Sequence, residues 1–335
     1  KHTPEGTFER LKARLVARGD KQDRELYKED VSASTSSSMS QFSVIAIAAH
    51  ERRKAVVSDI PGAFLHAPMK EGAEEVFLRI EPVLANMLVN KYPDIFKQYL
   101  HKDRKDLIVK LLRAVYGTIE AARLWLDDLT AELSKHGYVA NPFDPCVFNK
   151  TDDQGNQCTI CLYVDDLLIT CVCQETIDEI LGHLNVRYGG VKTSSGKVLH
   201  YLGMILDFTN DGYAKVTMDG MIEAIMSDHL GEDHRVTPPP CTESLFSITD
   251  ASPLLTERAR VIFHTAVAKM LYVSKRVRPD CLTTVGFLVT RVTKATEEDQ
   301  DKLQRLLRYV LQSHTANHKG IILHIGDEGV DARGW

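Results

Sequence analysis

Apolar residues are densest in residues 159–173, TICLYVDDLLITCVC, where two short apolar runs meet at adjacent aspartates. Runs of this length that are rich in Ile, Leu, Val and Tyr are typical of strands buried on both faces. The pattern predicts two strands joined in a tight hairpin at Val164, Asp165 and Asp166. We expect this hairpin to hold two carboxylates at the edge of an apolar base.

The paired acids Asp165 and Asp166 have two interpretations. Repulsion between neighbouring carboxylates and the loss of water both penalise the ionised pair. A divalent cation removes this penalty, so the pair suits one half of a Mg²⁺ site. Aspartate is also a favoured turn residue, and a bare pair is more typical of a solvated turn. A metal site therefore requires a further ligand from elsewhere in the chain.

Asp59 is the candidate for that third ligand. Residues 55–58 have the pattern of a buried strand, and Asp59 follows just before the strand-breaking residues Ile60, Pro61 and Gly62. A carboxylate at the end of a buried strand can reach the tip of a neighbouring hairpin. The alternative is that Asp59 caps a turn or a helix.

Two other pairs of acids are not expected to bind a metal. Asp127 and Asp128 fall within a helix predicted from about Glu120 to Gly137. Successive side chains on a helix diverge by about 100°, so we expect both of these acids to be solvated. Asp152 and Asp153 lie in a polar hairpin loop, TDDQGNQ, and are expected to be solvated as well.

The remaining apolar periodicity predicts helices on both sides of the hairpin. We expect a helix over 42–50, a helix that begins at a capping box of Thr176 and Glu179, and a helical last third. In the helix after Glu120, the predicted inward positions are Ala122, Leu126, Leu129 and Leu133. Residues 199–208 read as one strand with a break at Gly203.

Composition narrows the class of protein. A chain of 335 residues with 44% apolar and 26% charged residues is ordinary for a globular protein of two or three subdomains. No apolar run reaches the ~20 residues that a membrane span needs. The chain begins at Lys1 without an apolar leader, so we expect a piece of a longer polypeptide that is not secreted.

The seven cysteines, an odd number, favour a reducing compartment over a disulfide scaffold. Cys158 and Cys161 form a CxxC that invites a zinc interpretation. In a strand, however, residues three apart point to opposite faces, and no second CxxC follows. We therefore expect buried structural cysteines.

The net charge of −5 does not favour nucleic acid, but the distribution of cations does. Three segments, 10–18, 97–113 and 258–308, are rich in Lys and Arg, and together they suggest a polyanion bound along a groove. In the first, basic and apolar positions alternate, which predicts a strand with Lys12 and Arg14 on one side. An exposed edge strand protected by its charges is the alternative for this segment.

A strand ending in Asp59, a helix, a hairpin at Asp165 and Asp166, and further helices form an arrangement suited to two-metal phosphoryl transfer. In this order, the motifs resemble the reverse transcriptase of copia-type long-terminal-repeat retrotransposons. The resemblance is carried by KARLVARG (12–19), SDIPGAFLHAPM (58–69), LLRAVYGTIEAARLW (111–125), LYVDDLLIT (162–170), HYLGMIL (200–206), AVAKMLYVSKRVRPD (266–280) and LLRYVLQSHTANHKG (306–320).

The resemblance implies an α+β, right-hand polymerase with fingers, a ferredoxin-like palm of antiparallel sheet backed by helices, and a helical thumb and connection. The implied boundaries are 1–54 for the N-terminal part of the fingers, 55–210 for the palm with an inserted fingers segment at about 70–115, and 211–335 for the thumb and connection. A ribonuclease H domain would follow residue 335, so we expect no ribonuclease H activity from this chain.

The resemblance also implies roles for individual residues. The catalytic metal ligands are Asp59, Asp165 and Asp166, which would hold two Mg²⁺ ions, with Mn²⁺ as an alternative. The implied nucleotide-binding residues are Lys12, Arg14, Ile60, Phe64, Gly117, Glu120 and Arg123, with the Phe64 ring excluding a 2′-hydroxyl. The implied primer and template contacts are Tyr163, Val164, His200, Tyr201, Leu202 and Gly203.

The implied partners are an RNA template, a DNA or RNA primer, deoxynucleoside triphosphates (dNTPs), and the integrase and ribonuclease H of a Pol polyprotein. No membrane partner is expected. The implied location is intracellular, in a cytoplasmic virus-like particle and the nucleus.

The chain departs from the family at one motif, where YGLKQAPRAW is replaced by YGTIEAARLW, with Ile119, Glu120 and Ala122 in the altered positions. Glu120 would place negative charge near a triphosphate unless it faces elsewhere. One alternative is therefore a weakened or inactive remnant that only binds nucleic acid. A metal-dependent nuclease or phosphatase is a second alternative, but it leaves Phe64 and the basic segment at 10–18 unexplained.

Overall fold

A computed structural model of the chain describes residues 13–27, 30–70, 75–230, 239–249, 251–317 and 320–325. Lys12 lies outside these ranges. The helices are α1 (Ser38–His50), α2 (Pro82–Lys91), α3 (Pro93–Phe96), α4 (Ala121–Lys135), α5 (Gln174–Tyr188), α6 (Asp219–His229), α7 (Glu257–Ser274), α8 (Leu282–Val289) and α9 (Glu297–Asn317).

The strands alternate with these helices along the chain. They are β1 (Lys54–Asp59), β2 (Phe77–Ile80), β3 (Leu107–Lys110), β4 (Val139–Asn141), β5 (Asp144–Thr151), β6 (Gln157–Tyr163), β7 (Asp166–Cys171), β8 (Lys192–Ser195), β9 (Val198–Tyr201), β10 (Met204–Asp207), β11 (Tyr213–Thr217) and β12 (Ile321–His324).

The main sheet has six strands in the order β4-β5-β6-β7-β1-β8, and every neighbouring pair is antiparallel. Its centre, β6-β7-β1-β8, has α4 between β1 and β6 in the chain and α5 between β7 and β8. This is the βαββαβ arrangement of a ferredoxin-like palm. The predicted α+β class with an antiparallel sheet backed by helices is confirmed.

Helices cover both faces of this sheet, which explains why β6 and β7 are apolar on both sides. On one face, α4 and α5 pack through Trp125 and Ile177 against Ile160 and its neighbours. On the other face, α1 packs against Cys161 and Leu168, and this core continues into α6–α9. The hairpin that carries Asp165 and Asp166 therefore lies on a rigid base, because its two strands are buried from both sides.

The cysteines of the CxxC lie in β6, where both Cys158 and Cys161 are fully buried and belong to the cores on opposite faces. Burial raises the pKa of the Cys158 thiol to about 12 and that of Cys161 to about 11. The prediction of structural cysteines is confirmed, since a buried thiol with a raised pKa is a poor metal ligand.

A second sheet, in the order β12-β11-β10-β9, corrects two predictions. The last third is not purely helical, because it contains β12, which pairs with the earlier strand β11. Residues 199–208 form two strands, β9 and β10, rather than one strand with a break. Leu202 and Gly203 both have positive φ, 50° and 75°, and make the two-residue turn between them. Sequence periodicity could not separate a break in one strand from a turn between two.

A small third unit lies in the segment between β1 and α4. The hairpin of β2 and β3 packs with α2 around a separate core of Ile80, Ala85 and Leu107. This unit has its own apolar contacts.

Within the described residues, no helix combines the length and apolarity needed to cross a membrane.

Several predicted helix details are wrong. α5 begins at Gln174 with Cys173 at its N-cap, so Thr176 lies inside the first turn and does not start the helix. The buried face of α4 includes Leu124 and Trp125, whereas Ala122 and Leu126 are only partly buried. The short helix α8 was not predicted. A shift of one position along the inward stripe is enough to exchange such neighbours.

Candidate active site

The turn between β6 and β7 presents the paired acids. Tyr163 and Asp166 are opposite each other in the ladder, so Val164 and Asp165 form a two-residue loop. Val164 has φ of 60°, the left-handed region that a β-branched residue seldom adopts. A positive φ at the first loop position is the pattern of a type II′ hairpin turn, which normally uses Gly there. The predicted hairpin is present, with strain at Val164.

Two hydrogen bonds hold this strained turn. The indole Nε1 of Trp125 donates to the carbonyl oxygen of Val164 at 2.6 Å. The backbone N–H of Ile60 donates to the carbonyl oxygen of Asp165 at 3.2 Å. The turn is thus tied both to helix α4 and to the end of strand β1. These bonds oppose the relaxation of Val164 to an ordinary backbone conformation.

The carboxylates of two strands meet at the turn. Asp59, the last residue of β1, is the direct antiparallel partner of Asp166, the first residue of β7. Side chains at opposed positions share a face and have Cβ atoms about 4.5–5.5 Å apart. Burial, together with the charges of Asp165 and Asp59, raises the pKa of Asp166 to about 6. The structure therefore brings all three predicted acids to one point, with unfavourable repulsion among them.

The donor set suits a hard divalent cation, because carboxylate oxygens are the ligands that Mg²⁺ prefers. Within the described ranges, no three His, Cys, Asp or Glu side chains are arranged as a ready-made metal cage. Mg²⁺ in phosphate-handling sites is usually held by one or two carboxylates, with waters and substrate phosphates completing the octahedron. The aspartates fit that open kind of site.

A cleft of about 350 Å³ opens beside the aspartates. Its lining includes Asp59, Asp165, Arg14, Tyr116 and Lys192, so two acidic and two cationic residues line the same space. A second cavity of about 300 Å³, between α1 and β4–β6, contains none of the predicted site residues.

Lys192 is a site residue that the sequence did not reveal. It begins β8 and is the antiparallel partner of Asp59, on the side of β1 away from Asp166. Asp166, Asp59 and Lys192 thus form a row across three strands. No local signal marks Lys192, because its place depends on the pairing of β8 with a strand more than a hundred residues earlier.

Aromatic rings build one wall of the cleft. The guanidinium of Arg14 lies 5.3 Å from the centre of the Tyr116 ring, and the Phe64 ring lies 4.7 Å from the same ring. Tyr116 lines the cleft, whereas the half-buried Phe64 supports it from behind. The expected role of Phe64 against a 2′-hydroxyl stays a prediction.

Residues 13–18 are not a strand, which corrects that prediction for the described part of 10–18. This arm instead crosses Gly117 at close range, with the Ala17 N–H donating to Tyr116 O at 2.7 Å. A Cβ added at Gly117, where φ is 89°, would lie 2.2 Å from the Ala17 oxygen. Gly117 therefore admits the arm that carries Arg14 and has a packing role.

Glu120 faces away from the cleft. Its side chain is 7% exposed and accepts a hydrogen bond of 3.4 Å from Gln22 Nε2, while Gln22 Oε1 accepts from the N–H of Ile119 at 2.8 Å. The implied nucleotide contact of Glu120 is not supported, and neither is the concern about its charge near a triphosphate. The orientation of Glu120 depends on its contact with Gln22 in the arm at 13–27. The motif at 116–125, considered alone, does not contain this information.

Three further predicted site residues do not line the cleft. Ile60 is fully buried, so its side chain has no surface for a nucleotide. Tyr201 is also buried, and its hydroxyl donates to the carbonyl of Cys161 at 3.4 Å. Arg123 pairs with Asp127 at 2.8 Å and does not line the cleft. Among the predicted primer contacts, His200 and Gly203 are exposed and Leu202 is half-buried.

The acids of α4 do diverge as predicted, but one of them is not solvated. The Asp128 side chain is 12% exposed and binds Arg187 and Tyr188 at 2.8 and 3.0 Å. The expectation of a solvated Asp128 is therefore wrong, because α5 covers it. Asp152 caps its own hairpin loop by accepting from the N–H groups of Gln154 and Asn156.

Comparison with known proteins agrees with this site. The family described as reverse transcriptase (RNA-dependent DNA polymerase) matches residues 3–239, and the chain belongs to that family. It is 23% identical over 306 residues to the retrovirus-related Pol polyprotein from transposon TNT 1-94 of Nicotiana tabacum, covering 90% of this chain and 22% of that protein. It is 26% identical over 329 residues to the Pol polyprotein from transposon RE1 of Arabidopsis thaliana, covering 98% and 20%.

These relatives confirm the resemblance to the reverse transcriptase region of copia-type elements, and the chain spans about a fifth of their length. Among solved structures, a foamy viral protease–reverse transcriptase in complex with double-stranded DNA is similar with a TM-score of 0.43 and 12% identity. That match covers 86% of this chain and 38% of the other.

Substitution Trp125→Phe tests the support of the turn. It removes the indole N–H and leaves a ring against Tyr188, whose centre is 5.2 Å away. We expect the free energy of unfolding to fall by about 1–2 kcal/mol, because the Val164 carbonyl loses its donor. Amide hydrogen exchange over 162–167 should accelerate. Tyr138→Phe, which loses a buried phenol bonded to Cys158, is the control and should leave exchange at the turn unchanged. Equal exchange in both variants would contradict this role.

Proposed function

We propose that this chain is an RNA-directed DNA polymerase that extends a primer on an RNA or DNA template, as part of a retrotransposon Pol polyprotein. The observation that carries the proposal is the pairing of Asp59 with Asp166 beside the Val164–Asp165 turn, next to a cleft that two cations line. Membership of the reverse transcriptase family supports the same reaction class.

In the proposed reaction, the 3′-hydroxyl of the primer attacks the α-phosphate of a dNTP. A new P–O bond forms to the primer oxygen, whose proton passes to solvent water, the bond between the α-phosphorus and the oxygen shared with the β-phosphorus breaks, and pyrophosphate leaves. Two Mg²⁺ or Mn²⁺ ions, held by Asp59, Asp165 and Asp166, would lower the pKa of the attacking hydroxyl and stabilise charge on the leaving group. The three aspartates would keep the ions at fixed positions, because the strands beside them belong to a rigid sheet.

The two cations of the cleft would receive the triphosphate. Lys192 neighbours Asp59 across the sheet, and Arg14 is exposed above Tyr116. Both can place positive charge where negative charge develops in phosphoryl transfer. Lys12 remains a candidate from the resemblance alone.

The basic region 258–308 would contact the template–primer duplex with fewer cations than its composition indicates. Arg278 pairs with Asp280 and Arg291 pairs with Asp299, and both guanidinium groups are buried. The exposed cations there include Arg258, Lys275 and Lys294. We therefore propose a phosphate-backbone surface of moderate charge, whose affinity falls as salt rises.

We also propose that residues 1–54 and about 70–115 form the fingers, that the rest of 55–210 forms the palm, and that 211–335 forms the thumb and connection. Integrase and ribonuclease H would be partners within the polyprotein, in a cytoplasmic virus-like particle and the nucleus. The competing proposal is a remnant that binds nucleic acid without catalysis. The burial of Glu120 away from the cleft removes one of its main arguments.

Asp165→Asn provides the first test, in primer extension on an RNA template with dNTPs and Mg²⁺. We expect the wild-type protein to extend the primer and the variant to lose at least about 100-fold in rate, because a neutral amide binds the cation more weakly. Chelation of the metal should abolish extension by the wild type. Asp153→Asn makes the same chemical change in an exposed loop and should be fully active.

If the folded wild-type protein binds template–primer but extends nothing, the polymerase proposal fails and the binding-module proposal stands. Extension by Asp165→Asn at the wild-type rate would instead reject the assignment of the metal ligands.

Phe64→Ala tests the discrimination between sugars. Loss of the ring removes the support of Tyr116 and enlarges the cleft, so the preference for deoxynucleotides over ribonucleotides should fall by about tenfold or more. Single-nucleotide incorporation of each type measures this ratio. Phe246→Ala breaks a comparable aromatic pair with Phe287 elsewhere and serves as the control. Unchanged discrimination in Phe64→Ala would remove the proposed role.

A further inference from the structure

The turn between β9 and β10 depends on a group from outside its own hairpin. Leu202 and Gly203 have φ values of 50° and 75°, the pattern of a type I′ turn. A leucine in the left-handed region is disfavoured, so the turn needs external support. The carbonyl oxygen of Leu202 accepts a hydrogen bond of 2.8 Å from the hydroxyl of Tyr272 in α7.

Tyr272 links helix α7 to this turn. A Cβ added at Gly203 would lie 4.0 Å from Tyr272 Cε1, so the ring is in contact with the turn. Burial raises the pKa of the Tyr272 phenol, the positive charge of Arg276 opposes this rise, and the charges of Tyr163 and Asp166 add to it to a smaller extent.

Arg276 restrains the Tyr272 ring. Its guanidinium carbon lies 3.6 Å from the ring centre, and Nη1 donates to the Tyr272 carbonyl oxygen at 3.4 Å. Arg276 is only 7% exposed, and its Nε has no hydrogen-bond partner among the described residues. A planar cation stacked at this distance limits rotation of the ring. This is the closest contact between an arginine and an aromatic ring in the described part of the chain. The other such contacts have distances of 5.1 Å or more from the guanidinium carbon to the ring centre.

The hairpin has two further contacts. The buried hydroxyl of Tyr201 donates to the carbonyl of Cys161, two residues before Tyr163 in β6. The methyl of Met218 would lie 3.6 Å from a Cβ at Gly203. Strand β9 is thus fixed to the catalytic sheet, while the tip of its turn depends on α7.

We propose that Tyr272, braced by Arg276, is a positioning residue that sets the Leu202–Gly203 turn relative to the catalytic aspartates and so aligns the primer 3′-hydroxyl. This proposal rests on the proposed polymerase function, because a primer must be the ligand that the turn contacts. Tyr272 touches neither substrate nor metal in this role. It acts through the Leu202 carbonyl.

The test is Tyr272→Phe, which removes the hydroxyl and keeps the ring. In single-turnover extension of a DNA primer on an RNA template, we expect the rate at saturating dNTP to fall about tenfold, the change that loss of one well-placed hydrogen bond produces. The dNTP concentration at half-maximal rate should change less than twofold, because the cleft around Lys192 is untouched. Tyr309→Phe loses a phenol bonded to Asp280 at 2.7 Å and is the matched control.

Amide hydrogen exchange provides a readout that does not need activity. We expect exchange over 202–204 to accelerate in Tyr272→Phe and to stay at the wild-type rate in Tyr309→Phe. Arg276→Lys keeps the charge but loses the planar stack, and should accelerate the same amides to a smaller extent.

The outcomes separate the two proposals. A wild-type protein that extends primers, with Tyr272→Phe equal to it in rate and in exchange, overturns the positioning role alone. A wild-type protein without extension overturns the polymerase proposal, and with it the primer alignment assigned to Tyr272. A fall in rate accompanied by a matching rise in the half-maximal dNTP concentration would also overturn the positioning role, because the nucleotide site would then be the part affected.

Discussion

The antiparallel pairing of β1 with β7 is the constraint on which the candidate site depends. It places Asp59 opposite Asp166 and, through the Ile60 N–H, ties the end of β1 to the carbonyl of Asp165. A slip of one residue in this pairing would turn Asp59 to the other face of the sheet. Such a slip is opposed by the apolar cores on both faces, because the buried side chains of β1, Ala55 in one core and Val56 in the other, would turn to the opposite faces. The register of the sheet therefore determines the geometry of the acids.

The site is assembled at the expense of local stability. Three carboxylates repel one another, burial raises the pKa of Asp166, and Val164 adopts a strained φ. The surrounding structure offsets these terms through the Trp125 indole, the buried strands and the packing of α4 and α5. Such concentrated strain is typical of functional sites, since a relaxed turn would separate the groups that the chemistry requires together. Leu202 likewise has a strained φ, and the hydrogen bond from the Tyr272 hydroxyl to its carbonyl oxygen offsets that strain.

Local patterns located the three acids and the three strands beside them, β1, β6 and β7. Asp59 ends a short apolar strand, and the Asp165–Asp166 pair joins two more, so periodicity and turn chemistry alone indicated where carboxylates emerge. Lys192 could not be found in this way, because its position beside Asp59 arises from long-range pairing with β8. The orientation of Glu120 was equally hidden, since Gln22, 98 positions earlier, determines it. Charge counting failed for Arg278 and Arg291, which are buried in ion pairs.

The β1–β7 register is proposed to create a two-ion site when substrates are bound. Electron paramagnetic resonance titration of Mn²⁺ tests it directly, in a complex with template, a chain-terminated primer and the next dNTP. The wild-type complex should bind two ions per protein at the site, and Asp59→Asn should bind fewer, because one of the three proposed carboxylate ligands is lost. Identical stoichiometry and affinity in the two proteins would contradict the claim.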